Sequence, residues 1–317
     1  MICNRVGLSF YKDFRKNIGK IYTATGRLYH IPLKLKDTII IIKKSKMTKT
    51  VYFLVQGQFG NNLFQYFAAQ IMKKIYNYDE VKPTFQINLE FNHVIDDDKF
   101  KQIYTAYMKG ETIALDLRKD ILMMGFFQRS TIFKHERDYI KSLFHAENMD
   151  HISNRIQIGN IVKYQSKHTI QPSQKDLTLH LRCGDFWDHE KNRSQIFDPE
   201  DLKKIIVSIP HETLYIVRNK PDFDWEKEYY SQFEDLHPVW INGNLGDDFD
   251  FLLKSSKIIV SASTMSYMAA FLGEADEIHI PYNSYYGGEE GHDQSLSDFN
   301  DKCKVYYSVD YWTPKMS

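Results

Sequence analysis

The chain has 317 residues, 43% hydrophobic and 15% aromatic, enough for two packed domains of ordinary size. Its 41 basic residues balance 41 acidic ones, which argues against nucleic acid or an anionic membrane as the main partner, so any anion site must be local. The three cysteines, Cys3, Cys183 and Cys303, are far apart and form no CxxC pair, so neither a zinc knuckle nor a disulfide framework is indicated and a reducing compartment is the simplest inference.

The first thirty residues are basic and polar and do not read as a signal peptide. The longest aliphatic run, Ile39–Ile42, falls far short of the roughly 20 residues that cross a bilayer. The expectation is a cytoplasmic protein without a transmembrane segment, peripheral membrane contact remaining compatible. Residues 1–46 are basic and turn-rich and end in Lys43-Lys44-Ser45-Lys46. A small add-on, an alternative start at Met47 and a partly ordered arm all fit this extension.

From Val51 the pattern is strand, glycine loop, helix. Val51–Val55 is a continuous apolar run of the kind shown by buried parallel strands. Gly57-Gln-Phe-Gly-Asn-Asn62 follows, and then Leu63, Phe64, Phe67, Ile71 and Ile75 recur at helical spacing as one apolar stripe. Strands are expected at Thr112–Leu115 and Ile121–Phe127, and a helix near His135–Phe144. Residues 151–175 have weak periodicity and read as a linker. A second series begins at Asp176, with strands at Leu177–Leu181, Thr213–Val217, Lys257–Ser261 and Glu277–Ile280. Helices are expected near Pro199–Ile209, Asp247–Ser255 and Met265–Leu272. The alternation predicts an α/β protein with two parallel-sheet domains, 47–150 and 176–317.

Two segments carry the strongest chemical signal. In Leu177-Thr-Leu-His-Leu-Arg-Cys-Gly-Asp185, strand alternation puts His180 and Arg182 on one face. Arg182 and Asp185 fall at the strand's carboxyl end, where ligands of open α/β sheets bind, and arginine suits phosphate oxygens. A surface arginine paired with a carboxylate is the plainer explanation. In the second segment an apolar strand, Ile258–Val260, gives way to Ser261, Ser263 and Thr264 ahead of a helix. Free N–H groups and a positive dipole end favour a phosphate there. Plain N-capping needs only one such residue, and here several cluster.

These residues, read together, resemble family 11 glycosyltransferases, the α-1,2-fucosyltransferase family. Gly57-Gln-Phe-Gly-Asn-Asn-Leu-Phe-Gln-Tyr66 is similar to the family's Gly-Gly-Leu-Gly-Asn-Gln-Met-Phe-Gln-Tyr loop. Leu122-Met-Met-Gly-Phe-Phe-Gln128, followed by Phe133, resembles its Gly-Tyr-Phe-Gln segment. His180-Leu-Arg-Cys-Gly-Asp185 matches the H-x-R-x-G-D element shared by several fucosyltransferase families, and Ser263-Thr-Met-Ser-Tyr267 resembles Ser-Thr-Phe-Ser-Trp. The resemblance spans residues 51–283. It implies two Rossmann-like domains facing a cleft, the GT-B arrangement, with 47–150 on the acceptor side and 176–317 holding the nucleotide sugar. It implies GDP-fucose as donor substrate, a glycan acceptor, inversion in one displacement, no cofactor and no metal.

By that resemblance Arg182 grips the donor diphosphate with Ser263 and Thr264 close by, and His180 belongs to the same binding element. The Gly57–Asn62 loop faces the cleft, Gly57 and Gly60 allowing close backbone approach and Asn61 or Asn62 bonding donor or acceptor. A tight strand-to-helix turn with Asn as cap explains the same loop without a ligand. The displacement needs a base for the acceptor hydroxyl. Asp185 ranks first and Glu190 second, with His189 and Asp188 nearby, against a reading of solvated loop charge.

The chain also departs from the family pattern. The second arginine of the H-x-R-R-G-D form is Cys183, an aromatic pair is Tyr267-Met268, and Gln58 breaks the first glycine pair. A different nucleotide-linked sugar, or a glycan-binding protein that kept the fold without the chemistry, are the alternatives. Asp96-Asp-Asp98 and Asp248-Phe-Asp250 contain the Asp-x-Asp of metal-dependent enzymes, but the second opens a predicted helix, where carboxylates favour the dipole. The aromatic tail Tyr306–Trp312 suits core packing first and an acceptor groove second.

Overall fold

The computed structural model describes residues 21–22, 28–29, 48–86, 93–116, 119–145, 169–188, 193–282 and 303–313. Residues 1–48 form a unit of their own, in which β1 (Ile21–Tyr22) pairs antiparallel with β2 (Leu28–Tyr29). Residues 49–317 form the second compact unit and carry everything that follows. No described helix is long and apolar enough to cross a membrane.

The first sheet is built from β3 (Thr50–Leu54), β4 (Glu80–Thr84), β5 (His93–Ile95) and β6 (Ile121–Met123), ordered β4-β3-β6-β5 and parallel throughout. Its helices are α1 (Phe59–Tyr76), α2 (Asp97–Met108), α3 (Ser130–His135) and α4 (Arg137–His145). Pro83 lies within β4 without penalty because β4 is an edge strand, where a missing N–H leaves no ladder bond unmade. Helix α1 buries far more than one stripe, with Gln65, Ala68, Ala69, Gln70 and Met72 also enclosed. A helix covered nearly all round is a core helix, and α1 packs on both the first sheet and a helix of the second.

Thr112–Leu115 is not a strand; it pairs with no sheet, while Ile113 and Leu115 pack on the core. The strand at Ile121 ends at Met123, because the chain turns through Gly125 to Phe127, which has φ +54°. The helix expected near His135–Phe144 is two helices parted at Glu136, whose buried carboxylate accepts from Lys74 Nζ at 2.7 Å and Tyr104 Oη at 3.2 Å. β4, β5 and α2 are short or polar elements that the apolar pattern did not reveal.

The second sheet contains β7 (Leu177–Leu181), β10 (Leu214–Arg218), β11 (Val239–Ile241), β12 (Lys257–Ile259), β13 (Glu277–Tyr282) and β14 (Cys303–Ser308). Between β7 and β10 lie a one-turn 3-10 segment, Gly184–Phe186, and the antiparallel pair β8 (Trp187–Asp188) and β9 (Arg193–Ser194). Its helices are α5 (Pro199–Ser208), α6 (Asp224–Ser231), α7 (Leu245–Leu253) and α8 (Thr264–Leu272). The order β11-β10-β7-β12-β13-β14 is parallel throughout and reads 3-2-1-4-5-6 in chain order, the doubly wound arrangement. The direction of winding reverses between β7 and β12. In open sheets of this kind, ligands bind at such a reversal, beyond the carboxyl ends of the two strands.

One apolar core runs through both sheets, from Val51 and Phe67 to Phe249, Met268 and Ile278. A second lies on the other face of the second sheet, around Leu179, Ile216, Tyr229 and Phe233. The aromatic tail serves packing: Tyr307 Oη bonds His279 Nδ1 at 2.9 Å, and the Trp312 ring centroid lies 4.9 Å from that of Tyr229.

Candidate active site

The residues after β7 and β12 meet at the reversal point. His180 is buried, and its Nδ1 lies 2.7 Å from Ser261 Oγ, bridging the two strand ends. Burial, and then the charge of Arg182, lower its pKa from 6.5 to about 3, so the imidazole stays neutral. Ser266 locks the turn after β12: its Oγ accepts from Ser261 N at 3.2 Å and donates to Ser263 O at 3.0 Å. Ser261 is therefore committed to the scaffold, and Ser263 caps α8 by accepting from Met265 N at 3.3 Å. Thr264 is the first residue of α8.

Arg182 is half-buried and reaches toward the other sheet. Its Nη2 donates to Gln58 Oε1 at 2.8 Å, and its guanidinium lies 5.3 Å from the Phe186 ring centroid. Behind it, His180, Ser261, Gln195 and Tyr229 line a cavity no larger than one water.

The glycine segment arrives from the first sheet. The helix begins at Phe59, so the free loop is only Val55–Gln58 and Gly60, Asn61 and Asn62 lie in the first turn of α1. Gly57 has φ +69°, a conformation that favours glycine. At Gly60 a methyl group would collide with Thr264 Oγ1 and the Thr264–Met265 backbone, so this glycine lets the N-termini of α1 and α8 touch. Asn62 is buried, donating to Gln56 O at 2.9 Å and Gln65 Oε1 at 3.3 Å, and so holds the loop. Asn61 is half-buried and accepts from Gln128 Nε2 at 2.8 Å.

The electrostatics of the two meeting helices stand out. Helices α2, α4, α5, α6 and α7 each carry at least one acidic residue in the first turn. Helices α1, α3 and α8 carry none. The N-termini of α1 and α8 therefore have no acidic side chain of their own in the first turn, and Gln58, the N-cap of α1, accepts from Arg182.

Asp185 lies in the 3-10 turn that follows Arg182, and Glu190 and His189 lie outside the described residues. Both Asp-x-Asp patterns have structural uses. Asp96 caps α2 by accepting from Lys99 N at 2.8 Å, Asp97 accepts from Phe127 N at 2.8 Å, and Asp98 pairs with Arg129 at 3.2 Å. Asp248 accepts from Gly243 N at 2.7 Å, and Asp250 pairs with Lys254 at 2.7 Å. Gln58 escaped sequence reasoning, which treated it only as a break in a glycine pair; its reach to Arg182 depends on how the two sheets approach.

The sequence profile of glycosyl transferase family 11 matches residues 106–298, more than half of the chain. No protein of curated function matches in sequence. Among solved structures, a mutant of Arabidopsis thaliana FUT1 in complex with GDP is similar over 74% of this chain and 71% of its own, at 8% identity and TM-score 0.41. A glycosyl transferase of family 9 from Veillonella parvula is similar over 82% and 86%, at 9% identity and TM-score 0.35. The E. coli heptosyltransferase WaaC with ADP is similar over 81% and 93%, at 11% identity and TM-score 0.36.

Proposed function

Since the chain belongs to glycosyl transferase family 11 and is thereby a glycosyltransferase, we propose that it transfers fucose from GDP-fucose to a glycan hydroxyl, forming an α-1,2 linkage with inversion. The observation that supports this is the bond from Arg182 to Gln58, the N-cap of α1, together with the contact between the N-termini of α1 and α8, neither of which has an acidic first turn. The acceptor oxygen attacks the anomeric carbon as that carbon's bond to the diphosphate oxygen breaks. The departing electron pair settles on the diphosphate, and the acceptor proton passes to a base. Charge thus grows on the leaving group at the moment of reaction. Fixed donors aimed at that charge lower the barrier. Arg182 and the amide N–H groups at Thr264 and Gly60 are those donors in this reading, which calls for no cofactor. Asp185, three residues after Arg182, is the first candidate for the base and Glu190 the second.

Cys183 favours a second reading, a different nucleotide-sugar donor, because it removes a cation from the element beside Arg182. Thermal melting with GDP, UDP, ADP and CMP, followed by hydrolysis of the matching nucleotide sugars, tests both. Stabilisation by GDP alone is the expected result. Stabilisation by another nucleotide selects the second reading, and melting unchanged by every nucleotide overturns both.

A further inference from the structure

Glu226 is 3% exposed, and a buried carboxylate is costly unless hydrogen bonds satisfy it. It lies in the first turn of α6, where its Oε2 accepts from Asp222 N at 2.6 Å and Phe223 N at 3.1 Å. Those two bonds tie down the start of the helix, and capping asks nothing more of the side chain. Yet Oε1 reaches outside its own helix and accepts from Gly184 N at 2.9 Å, across 42 positions of sequence. All three partners are backbone amides, so this carboxylate holds main chain and does not balance a cation.

Gly184 opens the 3-10 turn that follows Arg182. Its φ is +68°, and a Cβ added there would meet nothing within 4 Å, so backbone conformation and not space calls for glycine. Trp187 N closes the turn on Gly184 O. The turn also carries Phe186, whose ring centroid lies 5.3 Å from the Arg182 guanidinium. Contacts thus lead from Glu226 to Gly184, along the turn to Phe186, and from that ring to Arg182. β7 itself ends at Leu181, so Arg182 stands just past the last residue that the sheet ladder holds. A single 3-10 turn has weak hydrogen bonds of its own, and an outside anchor decides where it rests.

We propose that Glu226 is a positioning residue of the donor site. By holding the Gly184 amide it fixes the turn that orients the Arg182 guanidinium toward the donor diphosphate and sets the backbone place of Asp185. The proposal rests on the nucleotide-sugar reading above and adds to it a residue that touches no substrate. Its loss is felt at the diphosphate and in turnover, not at the nucleoside.

The test compares the full chain with E226Q and D198A by melting temperature, by calorimetric titration with GDP and with guanosine, and by the kinetics of GDP-fucose hydrolysis. E226Q keeps the length and one acceptor oxygen, but its NH2 group must face an N–H donor on one side. D198A removes the cap of α5, where Asp198 accepts from Glu200 N and Asp201 N, and so reports the loss of a helix cap alone. The expected result for E226Q is GDP binding weakened about tenfold, guanosine binding within about twofold of wild type, and kcat lowered about 100-fold, more than KM rises. D198A is expected to melt earlier with GDP affinity and kcat kept. GDP affinity within about twofold of wild type in E226Q, an equal loss for guanosine and GDP, or a matching loss of kcat in D198A overturns the proposal and leaves the nucleotide reading intact. A wild-type chain that binds no GDP overturns both. Should E226Q not fold, E226D keeps the charge but falls one methylene short of Gly184, and wild-type kcat in E226D overturns the proposal equally.

Discussion

At the scale of single residues, the site depends on a neutral histidine beneath a charged arginine. His180 is buried, bonded to Ser261 and held at about 3 by burial and by Arg182. Its folded-state pKa is depressed, so the folded chain refuses a proton that the unfolded chain accepts below about 6.5. The stability this contributes is complete above that value and is lost as pH falls from about 6.5 toward 3, by up to about 1.4 kcal/mol per pH unit for one proton. Denaturant melts of wild type and His180→Asn at pH 7 and pH 4.5 should therefore converge as pH falls, and parallel losses in the two proteins would contradict this. Arg182 makes the opposite kind of contribution. It is half-exposed and bonded to Gln58, so Arg182→Ala should keep the wild-type melting temperature while turnover disappears. Arg182→Lys should recover little, because an ammonium cannot present a paired fork to a phosphate. A variant Arg182→Ala that melts early would assign the residue to structure.

At the scale of elements, the contact between the N-termini of α1 and α8 is the joint of the site. It depends on one missing methyl group, at Gly60. Gly60→Ala adds a Cβ against the Thr264–Met265 backbone, which cannot swing away as a side-chain tip can. The expected cost is about 2 kcal/mol of stability, with a larger proportional loss of activity, since the two dipole ends are pushed apart. Comparing its denaturation midpoint with that of Ala68→Gly, a change within α1 but away from the joint, separates the joint from helix propensity. Gln58 closes the site from the first sheet, and a phosphate oxygen is the natural replacement for its Oε1 on Arg182. Gln58→Leu should thus leave nucleotide affinity unchanged or raised, as a titration would reveal; a marked loss would make Gln58 a ligand contact.

At the scale of the whole molecule, the apolar core does not stop between the two sheets. Phe59 meets Phe249 at 5.0 Å between ring centroids, and Phe64 meets Tyr267 at 5.2 Å. Residues 49–317 should consequently unfold in one transition, with intrinsic tryptophan fluorescence and far-ultraviolet dichroism giving the same midpoint. Two separated midpoints would show that each sheet is stable alone. Bound nucleotide should move that single transition as a unit, by about 2.7 kcal/mol at a hundred times its dissociation constant.

The two strand–loop–helix series, their glycine loop and the parallel sheets were readable from the chain alone. Each rests on local information: an apolar run, a glycine, a strand's end. The polar or short elements β4, β5 and α2 were not, since a three-residue strand leaves no periodicity to detect. Nor was the division of labour among the hydroxyls and amides legible, because Ser261 and Asn62 belong to the scaffold only through partners elsewhere in the fold. The partnership of Gln58 with Arg182 spans 124 positions. Local pattern decides what a segment becomes. Which groups share a crevice is decided by strand order and by how closely two helices approach, and only the folded chain specifies those.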